Sequence, residues 1–389
     1  MSCATLLDLI NCGLSDTTPK RIMFNPVIVC IDESAAVSCN REDRIDKFNK
    51  LKNMLLKYRL PAYFVPLESI NSFKSCDIFS FEVFKFPAHS DESVFNNLKE
   101  IFNSLKSLTS KEDLLLKLRQ NLLVEIAKAL ECTKILTAET GTDLSVKLIS
   151  NLAIGRGAHL SLDVGFCDSR CDSIYLLRPL QDLSRKEIAY YVQFKKLDYV
   201  FIPSLTSMEN NKACSIQKLT ENFLVSLQNE FPSTMSTIFR TGEKLSLNSS
   251  NKNSETSSCV LCQAPLDINF AESSAFQATQ LSSILSKFGK AAISDDGTLS
   301  KSFVPSNGVC VNDEQCCRKD DDSDFSCHSS KTGPDVSMED LPQITCYGCL
   351  LTLKEMKNLS DIPGTLKAQF QARLNQLKLK EEIQEFLLE

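Results

Sequence analysis

The chain has 389 residues, of which 43% are hydrophobic and 24% are charged, and its formal net charge is -6. This composition is ordinary for a soluble globular protein. No apolar run approaches the roughly 18 residues needed to cross a bilayer, which excludes a membrane-spanning protein. Because the 17 cysteines accompany no export signal at the N-terminus, we expect free thiols or metal ligands in the cytoplasm.

The first part of the chain alternates helical stripes with short apolar runs. Residues 4–12 have helical spacing, and residues 27–31 (VIVCI) form a continuous apolar run typical of a parallel strand covered on both faces. Residues 63–65 form a second strand candidate. Helical stripes flank these runs, with apolar residues at Ile45, Phe48, Leu51 and Leu55, and at Leu114, Leu118, Leu122 and Ile126.

The alternation continues with strands predicted at 134–137 and 174–177 and helices predicted at 143–154 and 185–194. Two helix starts resemble capping boxes, namely Ser110 with Asp113 and Ser184 with Glu187. Strands and helices alternating at this spacing predict an α/β fold with a doubly wound, mostly parallel sheet over residues 1–245.

The composition changes after residue 245. Residues 246–258 are mostly Ser and Asn and predict a linker. Residues 292–340 contain eleven acids and four bases with little apolar periodicity, so we expect a disordered insert. Residues 350–389 form a C-terminal helical segment, whose main helix is predicted at 369–388.

Two Cys-x-x-Cys pairs flank the insert, and their members are Cys259, Cys262, Cys346 and Cys349. The two-residue gap lets both thiolates of a pair face one ion, and two pairs complete a tetrahedral zinc site. Closing the 83-residue loop between them costs about 4 kcal/mol, whereas structural zinc returns roughly 10–16 kcal/mol in peptides. We therefore predict a split zinc ribbon at 259–349, the alternative being two unrelated pairs of thiols.

Polar residues follow the predicted strands, where ligands sit in open parallel sheets. They are Asp32, Glu33, residues 139–143 and Arg178. Asp143 fits a helix cap as well as a ligand contact, and Arg178 fits a phosphate contact as well as an ion pair with an acid. The glycines of residues 155–157 lie at a helix end and are explained by capping. The predicted first helix begins close to residue 1, so we expect no glycine-rich phosphate loop before it and no ATP binding of the usual kind.

Seven short motifs and the two cysteine pairs occur together. The motifs are 27–33 (VIVCIDE), 141–143 (GTD), 151–157 (NLAIGRG), 177–180 (LRPL), 212–216 (KACSI), 231–237 (FPSTMST) and 240–244 (RTGEK). In combination they resemble the cytoplasmic tRNA 2-thiolation protein 2 family over nearly the whole chain. The resemblance implies the fold of the PP-loop ATP pyrophosphatases, which is adenine nucleotide hydrolase-like, with a C-terminal zinc ribbon.

The resemblance also implies a function, which is 2-thiolation of the wobble uridine in the tRNAs for lysine, glutamine and glutamate. Family members form a heterodimer with a catalytic PP-loop paralogue, which takes sulfur from a thiocarboxylated ubiquitin-related modifier. Relatives carry a Ser-Gly-Gly type loop ahead of the point where this sequence starts. We therefore expect ATP to be bound by the partner subunit only, and zinc to be structural.

This chain also departs from the catalytic paralogue. Residues 108–114 (LTSKEDL) stand where the paralogue has its Cys-x-x-Cys sulfur site, and residues 200–203 (VFIP) stand where it has a third cysteine. Without thiolates to hold sulfur, we expect a non-catalytic subunit that contributes to tRNA binding. Its candidate phosphate contacts are Lys147, Arg156, Arg178, Arg185, Lys186, Lys195 and Lys196.

Three other interpretations stay open. The candidate bases fit an ordinary solvated surface as well as an RNA contact. The chain fits an active ATP-dependent sulfurtransferase if a phosphate loop precedes it. It also fits a zinc-ribbon scaffold protein without a direct role in tRNA thiolation.

Overall fold

The computed structural model describes most of the chain. The described residues are 1–384 without 17–18, 20, 38, 72, 75–76, 82–91, 172, 206–213, 246–257, 267–339 and 357–361. The predicted linker and the predicted acidic insert lie almost entirely outside these residues, so the disorder predicted for the insert stays a prediction.

Six strands are described, and they form two three-stranded sheets. The strands are β1, Ile28–Asp32; β2, Ala62–Pro66; β3, Phe79–Ser80; β4, Lys134–Leu136; β5, Cys167–Cys171; and β6, Ile174–Leu177. The first sheet has the order β1-β2-β3, and the second has the order β4-β6-β5. In each sheet one pair is parallel, β1 with β2 and β4 with β6, and the remaining strand is antiparallel. The mixed α/β prediction is confirmed, and a single doubly wound sheet joining the two stays a prediction.

Helices make up most of the remaining described chain. They are α1, Ser2–Leu14; α2, Arg41–Leu55; α3, Glu92–Ser104; α4, Leu108–Ala129; α5, Gly141–Ala153; α6, Leu160–Val164; α7, Arg185–Lys195; α8, Ile216–Glu230; α9, Thr234–Glu243; α10, Leu341–Ile344; α11, Tyr347–Lys354; and α12, Gly364–Gln384. None of the helices in the described ranges is long and apolar enough to span a membrane.

The long helix α4 begins earlier than its predicted capping box. Its N-cap is Ser107, whose Oγ accepts a hydrogen bond from the backbone N–H of Ser110 at 3.1 Å. The predicted cap at Ser110 is therefore wrong, because the helix starts one turn earlier and has Ser107 as its N-cap. The predicted apolar stripe from Leu114 to Ile126 is buried, as expected for a helix packed in the core.

The capping box predicted for α7 is confirmed. Ser184 Oγ accepts from the backbone N–H of Glu187 at 3.2 Å, and the Glu187 carboxylate accepts from the N–H of Ser184 at 2.7 Å. Such a box supplies partners for two backbone donors that a helix start otherwise leaves unpaired. This short-range pairing explains why the start of α7 was predictable from the sequence.

The C-terminal helix also differs from its prediction. It covers Gly364–Gln384 instead of 369–388, and residues 385–389 lie outside the described part. Phe370 and Leu374, two members of the predicted stripe, are buried. The Gly364 N–H donates to Asn71 Oδ1 at 3.2 Å, which places the helix start against the first sheet's connections.

Candidate functional site

One group of described cysteines is suited to holding a metal, and its members are Cys259, Cys262, Cys346 and Cys349. All four side chains are buried, and their Sγ atoms lie within 4.8 Å of one another. An ion bound tetrahedrally at about 2.3 Å from each sulfur needs sulfurs about 3.8 Å apart. The two pairs predicted from the sequence therefore converge on a possible metal site of the right size for one ion.

Local backbone structure presents each pair. The backbone N–H of Cys259 donates to Ala264 O at 2.8 Å, and the N–H of Gln263 donates to Cys259 O at 2.8 Å, which closes a tight turn. Cys346 is the N-cap of α11, and Cys349 lies in its first turn. The turn and the helix start thus bring the two thiols of each pair to the same site.

The two cysteine loops pack on the α/β body. The Asn121 side chain, from α4, donates to Leu261 O at 3.2 Å. The Val260 N–H donates to Ile344 O at 3.0 Å, which ties the first loop to the second. Both loops fall in the same compact unit as the α/β body. A metal at this site would therefore join two distant parts of the chain to the central helix α4.

Arg156 connects this metal site to the core. Its guanidinium forms a buried two-bond pair with Asp113 of α4, with Nη2 to Oδ2 at 2.6 Å. Nη2 also lies 3.6 Å from Cys349 Sγ. Thr352 Oγ1 donates to the same carboxylate at 2.9 Å. Arg156 was predicted as a tRNA phosphate contact, but here its charge is buried and neutralised inside the protein.

A helix-ending motif directs Arg156 into this position. The N–H of Arg156 donates to Asn151 O at 2.8 Å and the N–H of Gly155 donates to Leu152 O at 3.0 Å, which is the Schellman pattern. Gly155 has φ of +84°, and a Cβ there would lie 2.7 Å from Tyr347 Cδ1. The prediction that glycine caps this helix is confirmed, because a side chain would be strained at this angle and would clash.

A second group of buried charges lies near the other side of the cysteines. Arg170 binds Asp163 at 2.8 Å and Asp168 at 2.5 Å, and all three side chains are at most 4% exposed. Lys117 of α4 is also buried. Burial lowers the pKa of Lys117, but the negative charges of Asp163 and Cys262 outweigh this and raise it. Each buried cation therefore has acidic neighbours, as buried charges require.

The pKa shifts of the four thiols go in both directions. Burial raises the pKa of Cys259, and hydrogen bonds with the other thiols raise the pKa of Cys349. Hydrogen bonds from Cys259 and Cys346 lower the pKa of Cys262 well below its usual range, and Lys117 acts in the same direction. A thiolate is the form that binds metal, so the lowered pKa favours metal binding by Cys262. The donor set of four sulfurs fits zinc, which prefers thiolates in tetrahedral structural sites.

The acids that follow β1 are engaged in internal ion pairs. Asp32 binds Arg44, which also binds Glu68 with Nη2 to Oε1 at 2.6 Å. Glu33 binds Arg119 with Nη2 to Oε2 at 2.8 Å. These carboxylates were predicted to face a ligand, and here they face cations of the protein itself.

A third set of charges lies where β4 and β6 end. Glu139 accepts from Lys147 Nζ at 2.9 Å and from Arg178 Nε at 2.8 Å. Arg178 also donates to Gly165 O at 2.5 Å and is only 1% exposed. The sequence left two roles open for Arg178, a phosphate contact and an ion pair with an acid. The structure shows the ion pair, with Glu139.

We expect the ion pairs of Glu139 to make the free energy of unfolding depend on pH in the acidic range. Burial raises the pKa of Glu139, but the charges of Lys147 and Arg178 outweigh this and lower it to about 2. The stabilisation from these ion pairs is fully present above pH 4.5, which is the usual pKa of a glutamate side chain, and it is lost as the pH falls toward 2. Glu139→Gln should therefore cost about 2–3 kcal/mol at pH 7 and progressively less below pH 4.5. Urea unfolding measured across that range checks this.

The matched control is Glu125→Gln, which removes an exposed acid paired with Lys128. It should change the free energy of unfolding by less than about 1 kcal/mol at every pH. If Glu139→Gln and Glu125→Gln gave the same pH profile, the Glu139 ion pairs would not contribute the expected stability.

Asp143 has the capping role that the sequence favoured. It forms a capping box with Thr140, whose Oγ1 accepts from the Asp143 N–H at 3.3 Å. Asp143 Oδ1 also accepts from Arg185 Nε at 2.5 Å, and Arg185 binds Glu221 as well. Asp143 therefore joins the starts of α5 and α7.

The seven candidate tRNA contacts separate by exposure. Lys147, Arg156 and Arg178 are held in the internal ion pairs described above, while Arg185 is 46% exposed but binds two acids. The exposed members without an ion pair among the described residues are Lys186, Lys195 and Lys196. These three lie on α7 or at its C-cap, so the exposed part of the set is concentrated on one helix.

Sequence reasoning did not find the residues that surround the cysteines. Asp113 was interpreted as a helix cap, and Lys117, Asp163 and Arg170 were not selected. One signal was available, because Asp113 and Lys117 lie four residues apart on α4 and directly precede the apolar positions Leu114 and Leu118. A charged pair inside a buried stripe indicates partners from elsewhere in the fold.

Known proteins resemble the chain over nearly its whole length. A model of the family Cytoplasmic tRNA 2-thiolation protein 2 matches residues 215–351. The protein of that name from Danio rerio is 33% identical, covering 99% of this chain and 82% of the relative. The one from Homo sapiens is 28% identical, covering 97% and 80%.

A solved structure is also similar in part. It is the U34-tRNA thiolase NcsA from Methanococcus maripaludis with its [4Fe-4S] cluster. The two chains have a TM-score of 0.42 at 13% identity, over 64% of this chain and 71% of the other.

The resemblance first seen in short motifs therefore extends through the α/β body and both cysteine loops. With 33% identity over 99% of its length to a named relative, the chain belongs to the cytoplasmic tRNA 2-thiolation protein 2 family.

Proposed function

We propose that this chain is a cytoplasmic subunit of a tRNA thiolase and is needed for 2-thiolation of the wobble uridine in the tRNAs for lysine, glutamine and glutamate. The observation that supports this most directly is membership of a family named for tRNA 2-thiolation, at 33% identity over 99% of the chain. The match includes the α/β body as well as the cysteine loops, so it concerns the whole arrangement.

The chain acts as the non-catalytic member of a heterodimer. Its catalytic PP-loop paralogue binds ATP, activates the uridine and receives sulfur from a thiocarboxylated ubiquitin-related modifier. The ion pairs at the strand ends support this division, because Asp32, Glu33 and Glu139 are each neutralised by a cation of the same chain. A nucleotide at that edge would have to displace these pairs. The two sheets belong to one doubly wound body of the PP-loop type.

The cysteine site holds zinc in a structural role. In a [4Fe–4S] cluster each thiolate binds a different iron at the corner of a cube, which requires sulfurs further apart than in a mononuclear site. The Sγ atoms here all lie within 4.8 Å, and Cys262 Sγ is 3.6 Å from Cys346 Sγ. These distances support one tetrahedral ion. Zinc supplies cross-linking of the two loops and no redox chemistry.

Of the candidate tRNA contacts, we keep only the exposed lysines at α7 as proposed phosphate contacts. Three lysines are exposed to bind phosphate, Lys186, Lys195 and Lys196, whereas Arg156 and Arg178 act inside the protein. We expect phosphate binding by these lysines to weaken as salt is raised.

The experiment is to measure wobble-uridine thiolation in cells that lack this protein. Thiolated tRNA migrates more slowly in a gel that contains an organomercury compound, because mercury binds sulfur. We expect the retarded bands of the three tRNAs to disappear and to return when the chain is supplied again. Other tRNAs, which carry no 2-thiouridine, serve as the internal control.

The same experiment separates the alternatives. Unchanged thiolation after depletion would contradict the proposal and favour a zinc-ribbon scaffold without a role in thiolation. Thiolation restored by this chain in cells that also lack the catalytic paralogue would favour an active enzyme.

A further inference from the structure

Helix α7 has an exposed face with aromatic rings between lysines. Tyr190 is 66% exposed and Phe194 is 83% exposed. Together with Lys186 they lie four residues apart, so all three lie along one side of the helix. Lys195 and Lys196 follow at its C-terminal end. We call these five residues the α7 face.

The exposed rings do not result from poor packing of the helix. On its opposite side, Ile188 and Val192 are buried in a core cluster with Leu6 and Leu180. Tyr191 OH donates to Asp8 Oδ2 at 2.8 Å, which fixes α7 against α1. The rings of the α7 face are therefore exposed on a helix whose opposite side is packed in the core.

The charge of this helix is opposite to that of the chain. Residues 185–196 contain four bases and one acid, whereas the whole chain has a net charge of -6. The single acid, Glu187, is occupied by its capping box with Ser184. The exposed lysines of the α7 face, of which Lys195 lies with its Nζ 6.0 Å from the centre of the Tyr191 ring, make it locally positive, and a positive surface complements a polyanion.

More aromatic side chains follow directly after α7. Tyr199 is 45% exposed and Phe201 is 74% exposed. Both line a cleft of about 580 Å³ beside α2. The charges of this cleft are balanced, because its lining holds three lysines and three acids, namely Lys47, Lys50, Lys57, Asp43, Asp46 and Asp198. The aromatic rings, but not the positive charge, therefore continue from the α7 face into the cleft.

The composition distinguishes between two kinds of partner. Cores of protein–protein interfaces are enriched in aromatic residues but depleted of lysine. Surfaces that bind single-stranded nucleic acid combine aromatic rings, on which bases stack, with positive charges along the phosphate backbone. Two exposed rings, Tyr190 and Phe194, flanked by lysines at both ends of α7, fit the second kind of surface.

We propose that the α7 face binds unpaired bases of a tRNA loop, with Tyr190 and Phe194 stacking on bases and the three lysines binding phosphates. The inference rests on the proposed function, which makes tRNA the polyanion. It adds the surface and the mode of contact, because a stacking surface selects unpaired bases over duplex.

The first test compares two double variants of the full chain. Tyr190→Ala with Phe194→Ala removes the rings of the α7 face. The control, Phe223→Ala with Phe231→Ala, removes two rings of similar exposure, 59% and 60%, on α8 and at its end. Binding is measured by fluorescence anisotropy with a labelled anticodon stem–loop of a lysine tRNA, and with a fully paired RNA duplex of equal length.

We expect the α7 variant to bind the stem–loop roughly tenfold or more weakly, since stacking contributes strongly per base. Its binding to the duplex should stay unchanged, as should all binding by the control variant. Equal stem–loop affinity for both variants would overturn the proposal. So would unchanged RNA affinity together with altered self-association in sedimentation, which would make the α7 face a protein contact.

A second test keeps an aromatic side chain on the α7 face and makes it fluorescent. The chain contains no tryptophan, so Phe194→Trp gives a single fluorophore, and Phe223→Trp gives the matched control. Stacking of a base on the indole should quench the emission of the first variant and leave the second unchanged. RNA binding without quenching at position 194 would contradict the stacking role.

These outcomes are separable from those of the proposed function. If depletion of the protein leaves thiolation unchanged, the proposed function fails. If thiolation depends on the protein but the α7 variant binds the stem–loop normally, only the inference fails.

Discussion

Replacing Cys349 by Ser is expected to abolish stoichiometric metal binding and to lower the free energy of unfolding by more than about 3 kcal/mol. The variant leaves three thiolates in a buried site, beside an arginine whose Nη2 lies 3.6 Å from the missing sulfur. Metal binding supplies roughly 10–16 kcal/mol in small zinc peptides, and much of it depends on the full ligand set. Without the ion, only packing and hydrogen bonds such as that from Val260 N–H to Ile344 O hold the two cysteine loops together, and they must offset the loop-closure cost of about 4 kcal/mol unaided.

The measurement is the metal content per chain by plasma mass spectrometry, combined with urea unfolding. The control is Cys214→Ser, which removes an exposed cysteine outside the metal site. We expect one zinc per chain in the unsubstituted protein and in the control. Treatment with a chelator should destabilise both, but should change Cys349→Ser little. One zinc per chain retained by Cys349→Ser would contradict the proposed ligand set, and iron in place of zinc would contradict the proposed metal.

Replacing Arg156 by Met is expected to destabilise the chain by about 3–5 kcal/mol. The guanidinium is 3% exposed and makes two hydrogen bonds with Asp113. Its loss leaves a buried carboxylate with only the Thr352 hydroxyl as a direct donor, and a buried charge without its partner is costly. Urea unfolding at saturating zinc measures the cost of losing the Arg156–Asp113 ion pair separately from any loss of metal.

Two controls define the cause. Lys50→Met breaks an exposed ion pair with Asp46 and should cost less than about 1 kcal/mol. Combining Arg156→Met with Asp113→Leu removes both charges, so we expect the double variant to lose less than the sum of the two single changes. Additive losses would show that the two side chains act independently, and an Arg156→Met cost equal to that of Lys50→Met would rule out a structural role for the pair.

Elements with short-range signals were predictable from the sequence. Strand β6 was placed at Ile174–Leu177 as observed, and the capping box of Ser184 and Glu187 marked the start of α7 correctly. In both cases the deciding interactions lie within a few residues. The start of α4 was wrong because Ser107 and Ser110 offer equivalent hydroxyls one turn apart. Ser107 is further held by Glu355, from a part of the chain that the local pattern does not contain.

The roles of charged residues were much less predictable. Arg156 and Lys186 are both bases in a predicted α/β body, yet one is 3% exposed beside a metal site and the other is exposed. The sequence gives each the same charge and says nothing about its partner. Asp113, 43 residues from Arg156, becomes that partner only when α4 packs against the end of α5.

By itself the sequence determined the family, the cysteine pairs of the possible metal site, and half of the described helices with most of the strands, because motif spacing and apolar periodicity are properties of neighbouring residues. Only the tertiary structure decided which charges are buried in pairs, and which remain exposed on the α7 face. It also joined the two cysteine pairs to the core through Arg156. The physical reason is that burial and pairing depend on contacts between residues far apart in the chain, where Coulombic attraction must offset the loss of water.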